Sequence, residues 1–126
     1  FNTRWLLQPF EKFLRRSLDC INIVGGGAAS NVWCQIFADV LNRPVRQVKD
    51  PIQANVRGAA FIAAVGLGLI SYGDVPGHTE YQHEYQPTAA NRAVYDTHFR
   101  EFVNIYRQNK RIYRRLNGRY AKIMGG

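Results

Sequence analysis

"INIVGGGAASNVWCQIFADV", residues 21–40, decides how the chain is read. A β-branched apolar run, Cys20 to Val24, ends at three consecutive glycines, Gly25, Gly26 and Gly27. A short apolar run closed by glycine predicts a buried strand. Ser30 is placed as an N-cap, because its hydroxyl can accept from a free N–H of a first helical turn. Val32, Trp33, Ile36, Phe37, Val40 and Leu41 then recur as one apolar helix face. Strand, glycine turn and helix N-terminus together make an anion and nucleotide site. Freed N–H groups and the positive end of the helix dipole favour phosphate, and glycine lets a ligand touch the backbone. The same glycines equally suit a tight strand-to-helix turn that needs positive φ angles. Both readings stand at this point.

Working outward, Pro44 stops the helix and "VRQV" (45–48) alternates as a second strand. Asp50-Pro51 predicts an N-cap with proline at the first helical position, and Gln53 sits where a capping box wants it. The segment to Leu69 is dense in small residues, and Gly58, Ile62 and Gly66 share one face. Each helical glycine costs roughly 1 kcal/mol, so this face predicts a closely packed neighbour. Upstream, Leu6, Leu7, Phe10, Phe13 and Leu14 recur at helical spacing. Residues 71–88 are turn-rich and predict an irregular loop. Beyond them Tyr95, Phe99, Phe102, Tyr106, Tyr113 and Leu116 stripe a final helix that Asn117-Gly118 is expected to end. The order implies α/β architecture, with two parallel strands joined by a crossover helix. Such a pair needs neighbours and cover on both faces, and its open edge could recruit a second copy, so a homodimer is one expectation.

With 126 residues, 46% apolar and 21% charged, the chain has a globular composition that argues against intrinsic disorder. The longest apolar run, Ala59 to Ile70, is too short to cross a bilayer, which takes roughly 20 residues. No membrane association is expected. Cys20 and Cys34 form no CxxC pair and read as reduced thiols of a cytoplasmic protein. The opening "FNTRWLLQPF" has the pattern of a helix already under way and no secretory signal, so the chain is expected to be part of something longer. Its net charge of +8 is uneven: residues 1–91 carry eight Lys/Arg against seven Asp/Glu, and residues 92–126 carry nine against two.

Three function classes follow from the residues. The Rossmann fingerprint G-x-G-x-x-G is partly met by Gly25 to Ser30, with Asp50 as a ribose ligand, which would make a dinucleotide-binding oxidoreductase piece. Ser30 in place of the third glycine and the lack of a third strand after residue 69 argue against it. The Walker pattern is absent, against a P-loop. The basic tail (Arg107, Lys110, Arg111, Arg114, Arg115, Arg119, Lys122, interleaved with Tyr106, Tyr113 and Tyr120) could make a nucleic-acid-binding module. Because Tyr106 and Tyr113 lie on the apolar stripe, inward packing of the tyrosines is expected instead, with no nucleic-acid partner. His78, His83 and His98 have no ligand spacing, so no metal site is expected. Trp33 is expected to pack in the core.

"IVGGGAASNVWCQIFADVLNRPV" followed by "GAAFIAAVGLG" resembles the C-terminal lobe of the FGGY carbohydrate kinases, closest to the xylulokinases. "FNTRWLLQPFEKFL" and "EYQPTAANRAVYDTHFREFVNIY" are similar to the flanking helices of that group, and the resemblance runs to about Leu116. It implies an actin/hexokinase-like (ribonuclease H-like) fold whose two lobes close on sugar and MgATP. Residues 1–126 would be a partial ATP-side domain, with a nucleotide-binding core at 20–70 and a loop and basic helix at 71–126. The resemblance further implies that Gly25, Gly26, Gly27, Ala28 and Ser30 form the adenosine-side motif, with Gly26 and Gly27 along the adenosine and α-phosphate. Asn31 matches a position that contacts nucleotide in the related glycerol kinases. ATP and Mg2+ are the implied cofactors, ADP the product nucleotide and a ketose such as D-xylulose the substrate. The catalytic aspartate, the first phosphate loop and the sugar ligands would lie upstream, so neither Asp39 nor Asp50 is a candidate base. Alone, the chain is not expected to turn over.

Overall fold

The computed structural model describes the backbone of residues 1–123 and the side chains of residues 1–118. Among the described residues it has four α-helices and three strands, besides short 3-10 turns: α1 (Asn2–Leu14), β1 (Ile21–Ile23), α2 (Asn31–Leu41), β2 (Val45–Val48), α3 (Ala54–Gly66), β3 (Tyr81–Tyr85) and α4 (Arg92–Ile123). The sheet order is β1-β2-β3. β1 pairs parallel to β2 with Ile21 opposite Val45, and β3 pairs antiparallel to β2 with Tyr85 opposite Val45.

The third strand corrects the loop expected at 71–88. "YQHEY" has exposed residues at four of its five positions and lies on an edge, so it carries no apolar alternation to read. The pair expected to be purely parallel is therefore part of a mixed sheet.

A small core lies between α2 and the sheet. Ala38, Leu41 and Val45 form its buried centre, with Leu7, Ile21, Ile23, Phe37 and Tyr85 packed around them. The buried side of α2 is Cys34, Ala38, Asp39, Val40 and Leu41. That face keeps Val40 and Leu41 from the expected one, with Phe37 packed at its border, but turns away from Val32 and Trp33. Val32 is 69% and Trp33 54% exposed, so Trp33 is not a core residue; its ring stands beside Phe37, with ring centroids 6.3 Å apart. Small side chains at Cys34 and Ala38 let the helix approach the sheet closely, and the bulkier residues are left on the flank.

α1 packs on α4 through aromatic rings. Phe1 meets Tyr95, Phe99 and Phe102, while Trp5 meets Phe102 and Tyr106 edge-on. Arg4 lies over the Phe99 ring and pairs with Asp96, which also takes Arg92. At the other end of α1, Glu11 pairs with Arg43, whose guanidinium also donates to the Leu18 carbonyl. Bonds from the Leu18 N–H and then from Arg43 hold the Glu11 carboxyl below its usual pKa.

Three further expectations are corrected. α4 runs through Asn117-Gly118 instead of ending there, because one glycine costs only about 1 kcal/mol and no proline follows. Tyr106 rests on Trp5, but Tyr113 and Leu116 are 49% and 63% exposed and do not pack inward; Arg119, Tyr120 and Lys122 lie outside the described side chains. On α3 nothing is buried, Ile62 is 65% exposed, and a Cβ at Gly58 or Gly66 would meet nothing within 4 Å. Among the described residues that face has no close neighbour.

Candidate nucleotide site

β1 and β2 run parallel, so both release the chain at the same edge of the sheet, where open α/β sheets bind ligands. After β1 the backbone enters Gly25 at φ 88°, a conformation that L side chains rarely adopt. The Gly25 N–H donates to the Pro51 carbonyl at 2.8 Å, tying the turn after β1 to the turn after β2. Gly26–Ala29 then forms one 3-10 turn, in which the Ala28 N–H bonds the Gly25 carbonyl at 3.0 Å. Positive φ accounts for Gly25 alone. Gly26 and Gly27 have no such φ, and a Cβ on either would meet nothing within 4 Å. Neither conformation nor packing within the chain demands glycine at these two exposed positions.

Ser30 is the N-cap of α2, its Oγ accepting from the Trp33 N–H at 3.4 Å. No acidic residue stands in the first turn of α2, so its free N–H groups and positive dipole end face outward unneutralised. Asn31 opens the helix, exposed, with its Oδ1 2.9 Å from the Tyr85 hydroxyl. Ala28 is fully buried and contributes shape: its carbonyl accepts from Gln47 Nε2 at 2.5 Å and from the Cys34 thiol at 3.5 Å. Gln47 Oε1 lies 3.2 Å from the Tyr85 hydroxyl. Burial pushes both the Cys34 thiol and the Tyr85 phenol up, so both stay neutral near pH 7. The structure thus brings Gly25, Gly26, Gly27, Ala28, Ser30 and Asn31 together at one edge.

Gln47 and Tyr85 were not signalled as site residues by the sequence. A glutamine inside the apolar strand "VRQV" is the one hint it offered. Asp39 is a second omission. It is 4% exposed and accepts from the Thr88 N–H, the Asn91 amide and Gln35 at 2.7–2.9 Å. Burial pushes its carboxyl up, but those bonds together outweigh burial and leave its pKa below the ordinary value. These bonds latch the segment before α4 onto α2.

Asp50 stands at the N-cap position of a 3-10 turn with Pro51 at its first position, but its side chain does not make the expected cap. It sits at φ 46°, makes no side-chain cap bond, and is followed by a 3-10 turn (Pro51–Gln53) before α3. Proline fixes its own φ at Pro51 and a left-handed Asp50 turns the chain before it, so the Asp50 carboxylate is not aimed at the helix N–H groups. Among the described residues no group of three or more His, Cys, Asp or Glu gathers, and no helix is long and apolar enough to cross a membrane.

The model of the FGGY family of carbohydrate kinases, C-terminal domain, matches residues 1–67, more than half of the chain. The chain belongs to this family. It is 29% identical over 106 residues to the xylulose kinase of Staphylococcus epidermidis, covering 80% of this chain and 21% of that protein. It is 37% identical over 91 residues to the autoinducer-2 kinase of Yersinia enterocolitica, covering 71% of this chain and 17% of that protein. The crystal structure of xylulose kinase from Rhodospirillum rubrum superposes with a TM-score of 0.70 at 28% identity, over 89% of this chain and 23% of that one. The chain therefore spans about a fifth of the length of the curated relatives it matches. Its fold is part of the actin/hexokinase-like fold of these kinases, an α/β arrangement with a mixed sheet and packed helices. FGGY carbohydrate kinases are phosphotransferases, and this chain is C-terminal domain of that kind.

Proposed function

We propose that the chain is the nucleotide-side part of an ATP-dependent kinase that phosphorylates a ketose, D-xylulose to xylulose 5-phosphate, in the cytoplasm. The observation that carries the nucleotide half is the exposed, unfilled backbone at Gly26 and Gly27, beside the free N–H end of α2. A purine nucleoside and its α-phosphate need backbone without side chains and an unneutralised helix start, and residues 25–31 offer both. Gly26 and Gly27 lie along the ligand, Gly25 and Ala28 shape the turn, Ser30 starts the helix, and Asn31 presents its amide. Phosphoryl transfer also needs a metal, a base and an oriented acceptor. Magnesium would be held by the nucleotide and by residues outside this chain, as would the sugar. Xylulose is supported by the name of the Staphylococcus epidermidis relative and of the fold neighbour; the autoinducer-2 kinases make the acceptor the open half of the proposal.

Two measurements separate these halves. Isotope-labelled chain titrated with MgATP is expected to shift the amides of residues 25–31, with NAD leaving them unmoved. Gly26→Val fills the open space and should weaken ATP binding at least tenfold with the fold intact. NAD binding that depends on Asp50 would instead favour the dinucleotide reading. For the acceptor, the family-length polypeptide carrying this chain should phosphorylate D-xylulose in preference to gluconate and autoinducer-2. Preference for either of the others would replace xylulose and leave the nucleotide assignment standing.

A further inference from the structure

Gln47 occupies a core position of β2 at 2% exposure, between Arg46 and the buried Val48. A buried amide costs free energy unless all its hydrogen-bonding capacity is used, whereas an aliphatic residue there would add apolar burial at no such cost. What Gln47 gains is a reach of 19 residues back to the Ala28 carbonyl. That contact fixes the far end of the glycine turn; the Gly25 N–H, held by the Pro51 carbonyl, fixes the near end. Gly26 and Gly27 are thus strung between two anchored points. Glycine has more backbone freedom to lose than any other residue type, and ordering it on binding would subtract from affinity unless it is done beforehand.

The other end of the Gln47 amide meets the Tyr85 hydroxyl, which also reaches Asn31 Oδ1. A phenol has one proton and here faces two carbonyl acceptors, at 2.9 Å and 3.2 Å. Asn31 and the buried Gln47 therefore share one hydrogen, and β3 enters the site through it. We propose that Gln47 and Tyr85 are positioning residues of the nucleotide subsite: Gln47 presets the glycine turn, and Tyr85 sets the Asn31 amide at the start of α2. The inference rests on reading residues 25–31 as the nucleotide side.

The test uses Gln47→Leu, which keeps volume and removes the amide, and Tyr85→Phe, which removes only the hydroxyl. Without ligand, Gln47→Leu is expected to speed hydrogen exchange of the Ala28 and Ser30 amides at least tenfold, with α1 amides unchanged. ATP affinity of the folded chain should fall about 5–20-fold for Gln47→Leu and about 3–10-fold for Tyr85→Phe, the range one or two hydrogen bonds spans. In an Asn31→Ala background the Tyr85→Phe effect should shrink below twofold, a coupling that general destabilisation would not produce. If Gly26→Val abolishes ATP binding while both variants bind within twofold of the parent, the positioning role is overturned and the nucleotide reading survives. If the parent shows no ATP response at residues 25–31, the nucleotide reading falls first and takes the inference with it. Should Gln47→Leu not fold, Tyr85→Phe and its cycle with Asn31 decide alone.

Discussion

α2 and α3 begin at the same edge of the same sheet, each after one strand of a parallel pair, and they fare oppositely. α2 buries five residues and is held at both ends: Ser30 caps it, and Asp39 and Gln35 latch it to the segment before α4. α3 is at least as rich in small apolar residues and buries none. Composition is therefore no guide to which helix carries the fold. The difference lies in partners at a distance in sequence: β2, β3 and α4 reach α2, whereas α3 leans on little beyond the Pro51 turn.

Truncation should show this contrast most strongly. Leu41→Ala opens a cavity beside Ala38 and Val45 and is expected to cost about 2–4 kcal/mol. Ile62→Ala on α3, at 65% exposure, should cost less than about 0.5 kcal/mol. Paired urea titrations check both. Equal losses would mean that α3 is packed as firmly as α2, against the comparison.

The Asp39 latch should come next. Asp39→Ala leaves the Thr88 N–H and the Asn91 amide without their acceptor and is expected to cost about 2–3 kcal/mol. Its pH dependence has a definite sign. The folded-state pKa is depressed, so the folded state favours the carboxylate. This contribution is fully present above the unfolded value, near pH 4, and is lost as pH falls through the lower folded value. Stability measured from pH 6 downward should therefore drop less steeply below pH 4 in Asp39→Ala than in the parent. A parallel fall in both would assign the acid sensitivity to the other depressed carboxylates, Glu11 and Asp96 among them.

The same contrast explains what the sequence made legible. β1, the Ser30 cap, the span of α2 and β2 were readable because each is written in neighbouring residues: a branched apolar run, a hydroxyl before a helix, a proline after it. β3 was not, because "YQHEY" earns its place by pairing with β2 and by Tyr85 meeting Gln47, a bond across 38 residues. The buried face of α2 was misplaced in part, at Val32 and Trp33, for a related reason. Periodicity finds the bulky apolar side, while close approach to a sheet selects Cys34 and Ala38. In the site, the glycines were visible and their supports were not, since nothing local marks a glutamine that reaches back to Ala28.

The smallest expected effect is also the one whose sign carries information. Gly58 is in mid-helix with no atom within 4 Å of an added Cβ, so Gly58→Ala should stabilise this chain by about 0.5–1 kcal/mol, by reducing the freedom of the unfolded state and improving helix propensity. Gly25→Ala, at φ 88°, should destabilise by about 1 kcal/mol or more through backbone strain, although its Cβ would also meet nothing. Thermal melts of the two variants separate glycine kept for conformation from glycine in open space. The α3 glycine then becomes a probe of context: repeated in the family-length polypeptide, Gly58→Ala should remain stabilising if α3 stays uncovered, and should turn destabilising if another backbone packs on the Gly58–Gly66 face. The reversal of sign would show that this face is built for a neighbour, which the energetics of the chain alone do not require.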